Sequence, residues 1–184
     1  YAALARKAGA LFVVDASHAI GSVAVHAPVA DVLVACCYKY LLGVHGAAIA
    51  YWNRRRLPDF RPTLTGWHST EWRPPFETPG AIAVMGTGQA FEPGNPAYGP
   101  LWVLDESLDY LGSRGMTAIE SHTLALSGAL RERLVALGLP VITPALDAER
   151  AGSIAFTSDD APGIRARLEE AGVQLTESGH IRVN

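Results

Sequence analysis

The sequence predicts an α/β fold: a large, mostly parallel sheet domain followed by a smaller α+β domain. Three observations carry this expectation. Two strongly apolar runs, residues 10–14 and 32–37, are separated by about the length of one strand–crossover–strand unit. Residues 97–111 and 116–137 carry leucine and isoleucine at helical spacing. From Pro140 onward, short strand-like and helical runs alternate. The composition agrees, since 49% hydrophobic and 18% charged residues describe a chain that buries a core.

Taken in order, residues 1–7 read as a helix stopped at Gly9, feeding a buried strand over residues 11–14. A short connection, Ala16 to Gly21, follows Asp15. Residues 22–28 read as an extended segment ending in a turn, and Asp31 opens the next strand, where it serves to satisfy backbone groups. Residues 32–37 form a continuous apolar strand of the kind covered on both faces. Gly43 and Gly46 permit a tight turn before a returning strand at residues 47–52. Residues 53–91 are rich in Pro, Gly, Trp and Thr, a long loop of functional character. In the first long helix Leu101, Leu104, Leu108 and Leu111 share a face, with Gly112 and Gly115 as breaks. In the second, Ile119, Leu126, Leu130 and Leu134 form the stripe, while Glu120 and His122 read as polar-face residues. Strands are expected at residues 141–143, 152–157, 173–175 and 180–183, with a helix at 161–171. The domain boundary falls near residues 111–115, giving a first domain of 1–112 and a second of 113–184. Residue 1 lies within a helix and residue 184 within a strand-like run, so the chain is expected to be a fragment of a longer polypeptide.

Charge and composition narrow the function classes. A net charge of −3 with no long basic run argues against nucleic acid, and Arg54-Arg55-Arg56 reads as a solvated helix start. No apolar run reaches spanning length and no signal-peptide pattern is present, which points to a soluble, cytoplasmic protein. Cys36 and Cys37 are strand neighbours pointing to opposite faces, so no disulfide joins them and both read as packing residues. No residues show metal-ligand spacing.

The chemistry centres on Cys36-Cys37-Tyr38-Lys39-Tyr40-Leu41-Leu42-Gly43-Val44-His45-Gly46. Lys39 sits at the end of a buried strand, where desolvation favours a neutral, nucleophilic amine. Asp15 ends the other apolar run. Two parallel strands place their carboxyl ends on one sheet edge, where α/β ligands bind. A Lys that forms a Schiff base and an Asp beside a pyridinium nitrogen are what pyridoxal 5′-phosphate (PLP) chemistry requires.

Val14-Asp15-Ala16-Ser17-His18-Ala19-Ile20-Gly21 and the Tyr-Lys-Tyr-Leu core together resemble the class V aminotransferase family of fold-type I PLP enzymes, most nearly its kynureninase-like members. The resemblance implies a Schiff base between PLP and Lys39, Asp15 on the ring nitrogen and His18 beside the ring. It implies Tyr38 at the cofactor phosphate and Arg182 on the substrate α-carboxylate. Gly66-Trp67-His68-Ser69 resembles a Gly-Trp element near the active site, with His68 and Ser69 as weaker substrate contacts. Phe91-Glu92-Pro93-Gly94-Asn95-Pro96 resembles a segment whose Thr, here Asn95, binds the phosphate in the other subunit of a homodimer. The pattern departs at Leu42 and at Val44-His45, where kynureninase-like members have Asn and Gly-Pro, and at Asn184, where Ser is usual.

The resemblance thus implies a kynureninase-like hydrolytic lyase acting on an amino acid, with an aminotransferase or epimerase of the same family as the alternative. A cysteine desulfurase is disfavoured, because residues 165–174 hold no Cys. A noncatalytic relative or a dimerisation fragment is the reading outside enzymology. The phosphate cradle and stacking aromatic ring of such enzymes do not precede Asp15, so the 184 residues alone are expected to bind PLP weakly or not at all.

Overall fold

The computed structural model describes residues 1–71, 83–177 and 180–183. Helix α1 (Ala2–Lys7) leads into strand β1 (Val13–Asp15), which pairs in parallel with β2 (Val32–Cys36). Strand β3 (Ala48–Trp52) returns antiparallel to β2, giving the order β1-β2-β3. The register sets Asp15 opposite Val34 and Cys36 opposite Ala48, so Asp15 and the residues after Cys36 emerge at one edge of the sheet.

The crossover from β1 to β2 holds only turns and a 3₁₀ segment, Ala27–Val29, in place of the extended segment expected at residues 22–28. Pro28 in that segment fixes φ and lacks an amide hydrogen, which suits the start of a tight helical turn. The crossover packs back on the sheet, and Ala16, Ala30, Leu33 and Ala35 form a buried cluster with Val25 and Ile49 against it. The opposite face differs from expectation. Val13 is 58% exposed and Val34 39%, because among the described residues the packing partners of β1 and β2 lie on one side.

Helices α2 (Tyr98–Arg114) and α3 (Met116–Ala136) follow. α2 runs through Gly112 and stops at Gly115, whose φ of +80° favours a residue without a Cβ. Of the expected leucine stripe, Leu104 and Leu111 are buried with Cys37 and Leu41, while Leu101 and Leu108 stay partly exposed. On α3 the inward residue is Ser127, held by Arg150, and Leu126 is 60% exposed. Leu126 is out of phase with a face that runs through Ile119, Thr123, Ser127, Leu130 and Leu134.

The second sheet has the order β4-β6-β5, all antiparallel: β4 (Ile154–Phe156), β5 (Thr176–Glu177) and β6 (Ile181–Val183), with α4 (Ala161–Glu170) between β4 and β5. Ile154, Phe156 and Ile181 are its buried side chains. Two expected strands shift. Val141 makes only an isolated bridge to Phe156, and the strand expected at residues 173–175 is found at Thr176–Glu177. The Asp160 side chain caps α4 by accepting from the Gly163 amide, with Pro162 in the first turn. Residues 72–82 of the long loop and Asn184 lie outside the described residues.

Candidate active site

The site assembles where β1 and β2 end. Asp15 terminates β1, and its Oδ1 accepts a 2.9 Å hydrogen bond from the Ser17 amide, a turn that Asp forms readily at a strand end. The Ser17 side chain also stabilises the carboxylate, and the charges of Lys39 and His18 add to this, holding the Asp15 pKa below its ordinary value. Ser17 is buried, and its Oγ accepts from the Cys36 amide at 2.9 Å, tying the turn after β1 to the end of β2. The sequence assigned Ser17 no role. Its only signal was the Asp-x-Ser spacing.

That turn presents His18 to Lys39. His18 Nε2 lies 2.8 Å from Lys39 Nζ. Partial burial, and then the charges of Lys39 and Arg182, hold the imidazole pKa below 6.5, against the opposing pull of Asp15. His18 is therefore neutral near pH 7, and Nε2 accepts from Lys39 Nζ. Gly21 makes the approach possible. Its φ is +89°, and a Cβ there would lie 2.4 Å from the Tyr40 carbonyl oxygen, inside any permissible contact.

Tyr38 is 42% exposed, and its ring stacks on His45 at 4.0 Å between centroids and 15° between planes. Lys39 Nζ lies 5.8 Å from the same ring. A hydrogen bond to Cys36 keeps the phenol protonated above its ordinary pKa, and the nearby Asp15 carboxylate acts in the same direction. The two cysteines thus differ. Cys37 is a core residue whose thiol is pushed up by burial, whereas Cys36 borders the site. Both are free thiols.

Arg182 comes from β6, in register with Ala155 of β4 and Thr176 of β5. Its charge reaches His18, and its Nε is buried without a hydrogen-bond partner among the described residues. The second sheet therefore brings a positive charge close enough to act on His18. A further tie between the two parts of the chain is Glu120 of α3, whose Oε1 accepts from the Ala24 amide at 3.2 Å. The sequence alone places Glu120 on a polar face.

Trp67 and Asn95 form a separate group. The Gly66–Ser69 turn packs on the Pro93–Gly94 segment, where a Cβ on Gly66 would lie 1.9 Å from the Pro93 oxygen and one on Gly94 3.9 Å from Trp67 Nε1. Asn95 is exposed, and Trp67 is 57% exposed with its ring edge-on to His68. Neither hydrogen-bonds to the Lys39 group among the described residues. Ser69 is fully buried, with its hydroxyl taken up by the Gly66 amide and carbonyl, so the structure gives it a turn-forming role in place of a substrate contact.

The family model for aminotransferase class V matches residues 1–183. The chain belongs to the class V aminotransferase family. Kynureninase from Deinococcus radiodurans is 31% identical over 180 residues, covering 93% of this chain and 43% of that protein. Kynureninase from Salinispora tropica is 35% identical over 159 residues, covering 82% of this chain and 37% of that protein. The chain thus spans about two-fifths of the length of these curated relatives. Among solved structures, apo cysteine desulfurase from Thermococcus onnurineus superposes with a TM-score of 0.81 at 22% identity, over 100% of this chain and 49% of that one. Alanine–glyoxylate aminotransferase from Nostoc gives 0.66 at 18% identity, over 100% and 50%. The fold is that of fold-type I PLP enzymes, and the described sheet β1-β2-β3 is part of the large domain of that architecture.

Proposed function

We propose that this chain is the Lys39-bearing part of a PLP-dependent enzyme acting on an amino acid, in the manner of a kynureninase-like hydrolytic lyase. The single observation that carries the reading is the Lys39 amine held 2.8 Å from a neutral His18, beside an ionised Asp15, at the ends of two parallel strands. The kynureninase relatives at about 30% identity support the choice within the family.

The donor set fits the cofactor. Lys39 supplies the amine for covalent attachment, and Asp15 supplies a carboxylate that stays ionised to hold a proton on the ring nitrogen. His18 supplies a neutral imidazole beside the ring. Tyr38 supplies a phenol that remains a donor, suited to a phosphate oxygen, and Asn95 of a second copy of the chain supplies an amide to the same group. The buried Nε of Arg182, without a partner among the described residues, is a donor suited to an acceptor, and a planar guanidinium grips a substrate carboxylate at two points. Trp67 lines the substrate side from the loop. When bound, PLP withdraws electron density from the substrate α-carbon. The freed Lys39 amine then moves the proton at that carbon, and His18 Nε2 is placed to hold Lys39 on the correct face. In this reading residues 1–112 belong to the cofactor-binding domain and residues 113–184 to the small domain, and the active enzyme is a homodimer in the cytoplasm. Among the described residues no helix is long and apolar enough to cross a membrane.

An aminotransferase or epimerase of the same family is the second reading, favoured by Leu42, Val44 and His45, which depart from the kynureninase-like pattern. The test is incubation with PLP, borohydride reduction and peptide mapping, on this chain and on the longest polypeptide that contains it. A reduced adduct on Lys39, absent in Lys39→Ala, is expected, followed by turnover of kynurenine before other amino acids. No adduct on Lys39 in the longer polypeptide sinks the proposal. Amino-group transfer without hydrolytic cleavage selects the second reading.

A further inference from the structure

The turn after Lys39 is clamped more tightly than a surface loop needs to be. The Leu42 amide donates to the Lys39 carbonyl at 2.9 Å, and the Gly43 amide donates to the Cys37 carbonyl at 2.8 Å. Leu42 adopts φ +58°, and its carbonyl accepts from Ser107 Oγ of α2 at 3.0 Å. Gly46 leaves the turn at φ +104°, against Pro100. These constraints carry the backbone back so that the His45 ring lies flat over Tyr38, 4.0 Å between centroids.

Tyr38 has little else to hold it. It is 42% exposed, and among the described residues the Cys36 side chain and the charge of Asp15 act on its hydroxyl. Its ring also borders the Lys39 amine at 5.8 Å. A phenol this open samples several orientations unless a neighbour fixes its plane, and a near-parallel aromatic stack does that.

We infer that His45 is a positioning residue, which fixes the Tyr38 ring beside Lys39 and through it strengthens the grip of the site on PLP. The inference rests on the PLP reading above and deepens it. His45 itself touches neither reacting atoms nor substrate in this scheme.

The experiment titrates PLP into the longest polypeptide that contains the chain, following protein fluorescence and the fraction of Lys39 trapped by borohydride. The variants are His45→Ala, His45→Phe, Tyr38→Ala and the double variant His45→Ala with Tyr38→Ala. Loss of the stack is expected to weaken PLP binding about fivefold in His45→Ala, and the flat ring in His45→Phe to restore it within about twofold. On the Tyr38→Ala background, His45→Ala is expected to have no further effect. Unchanged affinity in His45→Ala, failure of His45→Phe to restore it, or an equal loss with and without Tyr38 overturns the inference. No trapping on Lys39 in the unaltered protein overturns the PLP reading and the inference with it. Normal trapping there, with an indifferent His45, overturns the inference alone.

Discussion

Asp15 and Asp31 stand at opposite ends of the same pair of strands, and their surroundings give them different work. Asp31 is 1% exposed. Its Oδ2 accepts from the Phe12 amide at 2.8 Å, Arg56 Nε lies 2.5 Å from its Oδ1, and its backbone pairs with Phe12 and Asn53. Every strong partner is already inside the fold, so the carboxylate locks the start of β2 to the approach of β1. Asp15 is exposed, and among the described residues its carboxylate is hydrogen-bonded through Ser17. Burial with internal partners marks Asp31 as a structural acid, and ionisation with open access is what the role proposed for Asp15 requires.

The sharpest way to break this contrast is to remove each acid. Asp31→Ala leaves the Phe12 amide and the Arg56 charge unpaired and is expected to cost about 3 kcal/mol in urea unfolding. Asp15→Asn is expected to stay within about 0.5 kcal/mol, because the group is at the surface, and to weaken PLP binding instead. Equal destabilisation by the two substitutions would show that exposure does not separate their roles. Next in size is Gly21→Ala. The added Cβ meets the Tyr40 carbonyl oxygen at 2.4 Å and sits at φ +89°, so a loss of roughly 2 kcal/mol is expected, together with poorer trapping of PLP on Lys39. A thermal midpoint equal to the parent's would mean that the two turns can separate without cost.

Leu42 gives a smaller effect of opposite sign. A Leu at φ +58° is strained, and Asn tolerates that region better. Leu42→Asn is expected to gain about 1 kcal/mol in stability. The exposed side chain sits beside Trp102, Val103 and Tyr110, which line a hollow with it. A net loss in Leu42→Asn would show that this packing outweighs the backbone strain.

The sequence made these contrasts legible unevenly. Lys39 and Asp15 were readable because each ends a local apolar run, and local pattern is what a sequence displays. Asp31 was correctly read as a backbone partner, but Arg56 was read as part of a solvated helix start; the structure has turns there, with Arg56 on Asp31 and Arg54 Nη2 on the Gly86 carbonyl. The pairing of residues 25 apart has no local signature. Glu120 with Ala24, and Arg150 with Leu124 and Ser127, were hidden for the same reason. Leu126 misled because several leucines on one helix allow more than one stripe, and only the packed neighbour decides the phase.

The smallest expected effect concerns the His18–Lys39 contact and its pH dependence. The His18 pKa in the folded chain lies below the ordinary 6.5, so between those two values the unfolded chain binds more protons than the folded one. The contribution to stability is therefore complete above about 6.5 and is lost as pH falls through the folded pKa. Asp15, also lowered, acts in a separate and more acidic window, below its ordinary 3.8. A stability profile measured by denaturant titration should fall gently in the weakly acidic range, and His18→Gln should flatten that limb while leaving the more acidic one intact. The imidazole resonances of His18, followed by NMR, should titrate below the ordinary histidine value of 6.5. An unaltered slope in His18→Gln, or a His18 midpoint at or above 6.5, would show that neither burial nor the charges of Lys39 and Arg182 disfavour the charged imidazole. The contrast with Asp31 then tightens, because a buried acid shapes stability through its packing and partners, whereas His18 shapes it through the protonation that partial burial and the charges of Lys39 and Arg182 disfavour.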